Sequence, residues 1–235
     1  MKKKMAFTVP VISLWMLIGL ACGQYSSKSS VSSAAGVQKP RPVSGQVLTS
    51  ATMPSVRIEF DKTFKYVGSQ SFVLYDVANA EQHFFAELDK EGRVKRLYWI
   101  QFEGYLPNNS HSYNYKADKV VNIGGLDFIA DARALNIKTS PSRANSDASK
   151  AREFLESKGH GLTGDDIMMQ RLVHLVDEAK RNELMVIYIE DLSGTGLTAA
   201  DLAPEGRAAA RWEEMSKALL ERAQEGMKIV HLKEK

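Results

Sequence analysis

The twelve residues from Val94 to Tyr105, VKRLYWIQFEGY, constrain this chain more than any other stretch. Aromatic and β-branched side chains dominate the run and no proline interrupts it, a composition that fits a pleated, half-buried surface. Two neighbours share that composition, SFVLYDV (Ser71 to Val77) and QHFFAEL (Gln82 to Leu88). DKEGR then joins Leu88 to Val94, with Gly92 able to supply the positive φ of a hairpin loop. Consecutive strands joined by short turns predict an antiparallel meander. SVRIEF and FKYVG add shorter strands before it, LPNNSH closes the long strand, and SYNYK is expected to return beside it. The expectation is five or six strands over about 55–117.

Alternation along the long strand divides its side chains. Val94, Tyr98, Ile100 and Phe102 share one face, which reads as core. Leu97, Trp99 and Tyr105 share the other with Lys95, Gln101 and Glu103. That second face is amphipathic: it either lines a cleft or interface, or is covered by a helix or by C-terminal elements.

After the meander the apolar spacing changes from two towards helical values. LDFIADARALNI places Phe128, Ala132 and Leu135 on one stripe and predicts a helix over about 125–137. The breaker-rich KTSPSRANSD follows, then a helix over 147–158 stopped by Gly159. TGDDIMMQRLVHLVDEAKR predicts another over 163–180, opened by Thr163 and Asp166 with Met168, Leu172 and Leu175 as its buried stripe. ELMVIYIEDL is a nearly continuous apolar run and predicts a strand at 184–191 buried on both faces. A long helix over 204–225 carries Ala208, Trp212, Met215, Leu219 and Ala223 on one stripe, and MKIVHL can add a terminal strand. The expected class is therefore α+β: a meandering antiparallel sheet, a helix cluster, a buried strand and a long C-terminal helix, in one domain over 52–235.

The start of the chain has a different character. MKKK is followed by an uncharged, apolar stretch to Ala21, too short for a comfortable membrane span. A signal peptide over 1–21 is expected. Its end, Ile18-Gly19-Leu20-Ala21-Cys22, resembles the lipobox of bacterial lipoproteins, with Gly19 and Leu20 in inverted order relative to the usual aliphatic and small positions. The resemblance implies lipidation of Cys22, attachment to the membrane through an N-terminal lipid, and, with Gly23 after the cysteine, the outer membrane of a Gram-negative envelope. The alternative is a plain secretory signal and a soluble periplasmic or secreted protein. Cys22 is the single cysteine, so no intrachain disulfide is possible and the fold must rest on its core. Residues 22–51 are serine-rich and free of acidic residues, which predicts a flexible tether.

The leader holds three of the 31 basic residues and none of the 28 acidic ones, leaving 28 of each. That balance argues against a nucleic-acid partner. Of the five histidines none lies in an HExxH pair or beside a cysteine cluster, and no cofactor is expected. No nucleophile elbow or SxxK motif is present. His174, with Glu178 four residues on, reads as a helical histidine held by a carboxylate.

Two functional readings follow. In the first, Trp99, Tyr105, Tyr113 and Tyr115 form an aromatic wall that binds an apolar or amphipathic ligand, or an envelope protein. In the second, a hydrolase-like site assembles His83, Glu103 and His111 at one end of the sheet. A purely structural role is the remaining alternative. Separately, Glu190, Asp191, Ser193, Gly194, Thr195 and Gly196 join a strand end to a helix start, either as a polar or metal-binding loop or as an ordinary crossover.

Overall fold

The structure, a computed structural model, describes residues 40–140 and 142–232. Cys22, the leader and the serine-rich stretch up to residue 39 lie outside the described residues. In chain order the elements are β1 (Val43–Ser44), β2 (Val47–Ser50), β3 (Val56–Phe60), β4 (Lys65–Leu74), β5 (Ala78–Leu88), β6 (Val94–Tyr105), β7 (Val120–Ile123), β8 (Leu126–Asn136), α1 (Asp147–Ser157), β9 (Asp166–Leu175), β10 (Asn182–Asp191), α2 (Ala199–Leu202), α3 (Trp212–Glu225) and β11 (Met227–His231). They build a seven-stranded sheet in the order β4-β5-β6-β10-β9-β8-β7 and a four-stranded sheet in the order β1-β2-β3-β11. Every pairing between these strands is antiparallel. The fold is predominantly β, with few helices.

The meander is present with three strands rather than five or six: β4, which runs through both FKYVG and SFVLYDV, pairs with β5 and β5 with β6, from Ala78 opposite Tyr105 to Leu88 opposite Val94, while SVRIEF, as β3, joins the other sheet. β10 occupies the middle of the larger sheet, and Glu183 through Ile189 are all buried. The expected partner SYNYK forms no strand; β10 takes that place beside β6, and residues 106–118 cross as a loop.

The helix cluster is corrected. Residues 126–136 and 166–175 are strands. In β8, Leu126, Phe128 and Ala130 are buried while Ala132 and Ala134 are half-buried against the same core, so its alternation runs through alanines that weigh little in any periodicity. In β9, Met168 and Leu172 enter one core and Ile167 and Val173 the other. A strand buried on both faces has no period of two to read. Of the helices expected before β10, only α1 forms. Ser146 caps it, accepting from Ser149 N at 3.1 Å. The C-terminal helix starts at Trp212 rather than 204, because residues 203–211 form turns and a short 3-10 segment behind α2. The expected tether also ends early: β1 and β2 lie within 43–50 and pair with each other and with β3.

Two cores flank the large sheet. On one face the four-stranded sheet and α3 cover Phe85, Tyr98, Tyr188 and Phe128. Phe60 stacks on Phe85 at 4.1 Å, and the Tyr98 hydroxyl donates to Ala223 O at 2.8 Å. On the other face α1 lays Ala151, Phe154 and Leu155 over Phe84, Leu97 and Trp99. Val94 joins this second core rather than the first, because a bulge between the Glu87–Arg96 and Leu88–Val94 pairs turns it over. An 11-residue helix is only about 16 Å long, whereas seven strands span roughly 29 Å. α1 therefore leaves part of this face open, and the candidate site lies there. Among the described residues no helix is long and apolar enough to cross a membrane.

Candidate functional site

On the α1 side of the sheet, β6 passes from apolar to polar as Leu97, Trp99, Gln101, Glu103. The neighbouring β10 makes the same passage as Ile187, Met185, Glu183, in register: Trp99 faces Ile187, Gln101 faces Met185 and Glu103 faces Glu183. A cavity of about 360 Å³ opens at this boundary. Trp99, Met169, Met185 and Ile187 give it an apolar half, and Glu103, Glu183, Asp147, Arg171 and Tyr115 a polar one.

The polar half is ordered by a chain of amides running across three strands. Gln70 donates to Gln82 Oε1 at 2.7 Å, Gln82 to Gln101 Oε1 at 2.8 Å, and Gln101 to Glu103 Oε2 at 2.6 Å. Gln82 also donates to the Asp147 carbonyl at 3.1 Å, which fixes the start of α1 over the sheet. The loop after β6 contributes two tyrosines. Tyr113 donates to Glu103 Oε1 at 2.8 Å and Tyr115 to Glu183 Oε2 at 2.7 Å. Arg171 is already engaged, donating through Nε to Asp131 Oδ2 at 2.8 Å.

Two polar atoms have no such match. The indole Nε1 of Trp99 is buried and has no hydrogen-bond partner among the described residues. No described group donates to Glu183 Oε1, although Glu183 is only 2% exposed.

Like charges directly opposite in a ladder repel, and burial penalises each ionised form. Burial pushes the Glu183 carboxyl up to about 8, with Glu103 and Asp147 adding to the rise while Tyr115 and Arg171 oppose it. Burial likewise raises Glu103 against the bonds from Tyr113 and Gln101, and raises Asp147 against the bond from Ala148 N. At neutral pH the Glu183 carboxyl therefore keeps its proton.

Of the four expected wall residues, Trp99 and Tyr115 line the cavity. Tyr113 stands behind, holding Glu103, and Tyr105 stacks on Tyr113 at 4.6 Å without lining the space. The expected grouping of His83, Glu103 and His111 does not form. His83 pairs with Ile100, whose side chain enters the opposite core, so His83 and Glu103 project from opposite faces. His83 is fully buried, its Nε2 lying 2.7 Å from Glu81 Oε1, and Glu81 is held in turn by Arg41. His111 sits exposed in the loop and offers its carbonyl to Arg181. His174 lies on β9 rather than a helix, with Nδ1 3.0 Å from the Asp127 carbonyl.

The segment 190–196 is a crossover held by bonds within it and from Tyr188 and Arg222, with Asp191 Oδ2 buried and without a hydrogen-bond partner among the described residues. Glu190 takes a two-pronged contact from Arg222, both prongs 2.7 Å, and accepts from the Tyr188 hydroxyl. Asp191 Oδ1 accepts from Ser193 N, Thr195 donates to the Leu192 carbonyl, and Gly194 and Gly196 complete the turn, Gly196 at φ 68°. Among the described residues no group of three or more His, Cys, Asp or Glu side chains is placed to hold a metal ion.

Sequence reasoning missed Glu183, Asp147 and Arg171 as site residues. A signal existed for Glu183: a charge at the start of a run otherwise buried on both faces. Arg171 was hidden by the helical reading of its strand. A scan against protein-family models, a search of curated proteins and a search of solved structures each gave no match to this chain.

Proposed function

We propose that this chain is a ligand-binding protein of the bacterial cell envelope, taking a small amphipathic molecule into the cavity between Trp99 and Glu183 while lipid on Cys22 attaches it to the membrane. The observation that carries the binding reading is the unpartnered Trp99 Nε1 beside a cavity with one apolar and one polar half. A buried N–H without a partner costs about 1–3 kcal/mol, which a ligand oxygen restores on binding. The cavity volume also falls in the range of about 300–1,000 Å³ typical of small-molecule sites. The envelope reading rests on the basic start, the apolar stretch, Ala21-Cys22 and the serine-rich segment behind them. Gly23 favours the outer membrane in a Gram-negative cell.

Titration of the purified protein with the neutral dye Nile red tests the site. Saturable one-to-one emission that is lost in Ala148→Phe, which fills the cavity from α1, supports binding there; identical emission in both proteins refutes it. Mass spectrometry of the membrane fraction tests the attachment, since an N-terminus other than acylated Cys22 rules it out.

A second reading, hydrolase-like acid–base chemistry, is favoured by one observation. Glu183 holds a proton near neutrality directly opposite Glu103, the kind of pairing in which one carboxyl donates and the other accepts. It calls for substrate turnover that Glu183→Gln abolishes.

A further inference from the structure

Resting on the ligand-binding reading, we infer that the molecule this cavity takes carries a primary ammonium group, seated at Glu183 and Asp147, and an oxygen acceptor several bonds away that meets Trp99 Nε1. The argument is one of matching donors and acceptors. The cavity gathers three carboxyl groups, Glu103, Glu183 and Asp147, against one guanidinium, Arg171, which is already bonded to Asp131. An anionic ligand would add to uncompensated negative charge. A neutral one would leave two or three carboxyls to share whatever protons they can retain. An ammonium group brings three N–H donors and the missing positive charge together.

The two unmatched atoms define the two ends of the ligand. Glu183 Oε1 accepts from no described group and becomes a full acceptor once its proton leaves, and Trp99 Nε1, on a residue 5% exposed that lines the cavity, needs an acceptor. An ammonium cannot serve the indole N–H, since it offers no lone pair. Trp99 and Glu103 stand four residues apart on β6, roughly 13 Å along the strand. The ligand is therefore elongated, with its apolar middle lying against Met169, Met185 and Ile187. A bare metal ion fits less well, because the described carboxylates do not come together in a group able to ligate one.

Seating the cation has a consequence for protons. Glu183 is faced by Glu103 on β6, Asp147 on α1, Tyr113 and Tyr115 from the loop, and Arg171 on β9 with its partner Asp131 on β8. A cation among these groups favours ionised Glu183, so binding expels its proton.

The experiment compares three probes of equal length, 6-amino-1-hexanol, 1,6-hexanediol and 6-hydroxyhexanoate, by displacement of Nile red and by calorimetry in two buffers of different ionisation enthalpy. The amino alcohol is expected to bind at least tenfold more tightly than the diol, with the anion weakest, and to release about one proton near pH 7. Glu183→Gln should reduce the preference for the amine at least fivefold and abolish the proton release. Asp147→Asn, at the start of α1 rather than on a strand, should reduce the preference while leaving the Gln82 bond to its backbone carbonyl in place. Equal binding of diol and amine, both lost in Ala148→Phe, overturns the ammonium assignment and leaves the ligand-binding reading standing. A preference for the amine that survives both carboxylate variants also overturns it. No binding of dye or probe by the wild-type protein overturns both.

Discussion

Replacing Glu183 by glutamine should make this protein more stable, and only above a certain pH. Glu183 is 2% exposed and lies directly opposite Glu103. Its carboxyl is raised from 4.5 to about 8, chiefly by burial. Between those values the folded protein holds a proton that the unfolded chain has released. Stability therefore falls as pH rises through that window: the loss is absent below about 4.5 and complete above about 8. At about 1.4 kcal/mol per tenfold change in proton affinity the ceiling is about 5 kcal/mol. Water entering the cavity and relaxation of Tyr115 reduce it to about 2–4 kcal/mol. Glutamine has the same shape, its amide oxygen still accepts from Tyr115, and it cannot ionise. Urea unfolding of the purified protein, wild type and Glu183→Gln, from about pH 5 to about pH 8.5 checks this. The two proteins should agree within about 1 kcal/mol at the acid end, and the variant should lead by about 2–4 kcal/mol at the alkaline end. A salt-bridged carboxylate would give the opposite slope. A difference that stays constant or shrinks as pH rises refutes the reasoning, because Glu183 would then not be the group that titrates.

Trp99→Ala should cost about 3–5 kcal/mol in urea unfolding through the void it leaves under α1. Trp99→Phe should stay within about 1.5 kcal/mol of wild type yet weaken capture of an oxygen-bearing probe, and unchanged capture would dismiss the indole N–H as a recognition group. Gly124→Ala should cost more than about 2 kcal/mol, since Gly124 has φ +62° and a Cβ there would sit 2.1 Å from the Ile229 carbonyl; an unshifted urea midpoint would contradict that packing. Thr163→Ala should cost about 0.5–1.5 kcal/mol. The cause is not a lost helix cap: the Thr163 hydroxyl donates to Val94 O at 2.7 Å, so the loss should appear in hydrogen exchange of the β6 start and leave α1 unchanged.

What could be read from the sequence was local. The hairpins from Ser71 to Tyr105 have adjoining strands and short turns, and the Thr198–Asp201 capping box, in which each side chain satisfies the other's backbone, sits within four residues. The misread strands owe their partners to distant segments. Nothing near Met168 or Leu172 announces that β8 lies on one side and β10 on the other, and their spacing mimics a helix stripe by coincidence. The same limit applied to the site. Trp99 and Glu103 could be placed on one amphipathic face, but the opposition of Glu183 to Glu103 depends on a register between strands about 80 residues apart. Tyr113 and Tyr115 were found through their composition, although the strand proposed for them became a loop.

The four-stranded sheet links the beginning of the described chain to its end, since β11 lies beside β3 and Ile229 pairs with Ile58. A chain emerging from its N-terminus can assemble β1, β2 and β3 but must wait for its last described residues before the apolar side of that sheet is closed over Tyr98 and Phe85. Such a late, long-range closure slows folding. The timing of assembly is thus written into the order of the strands: the sheet opened by β1, β2 and β3 is completed only when β11 arrives.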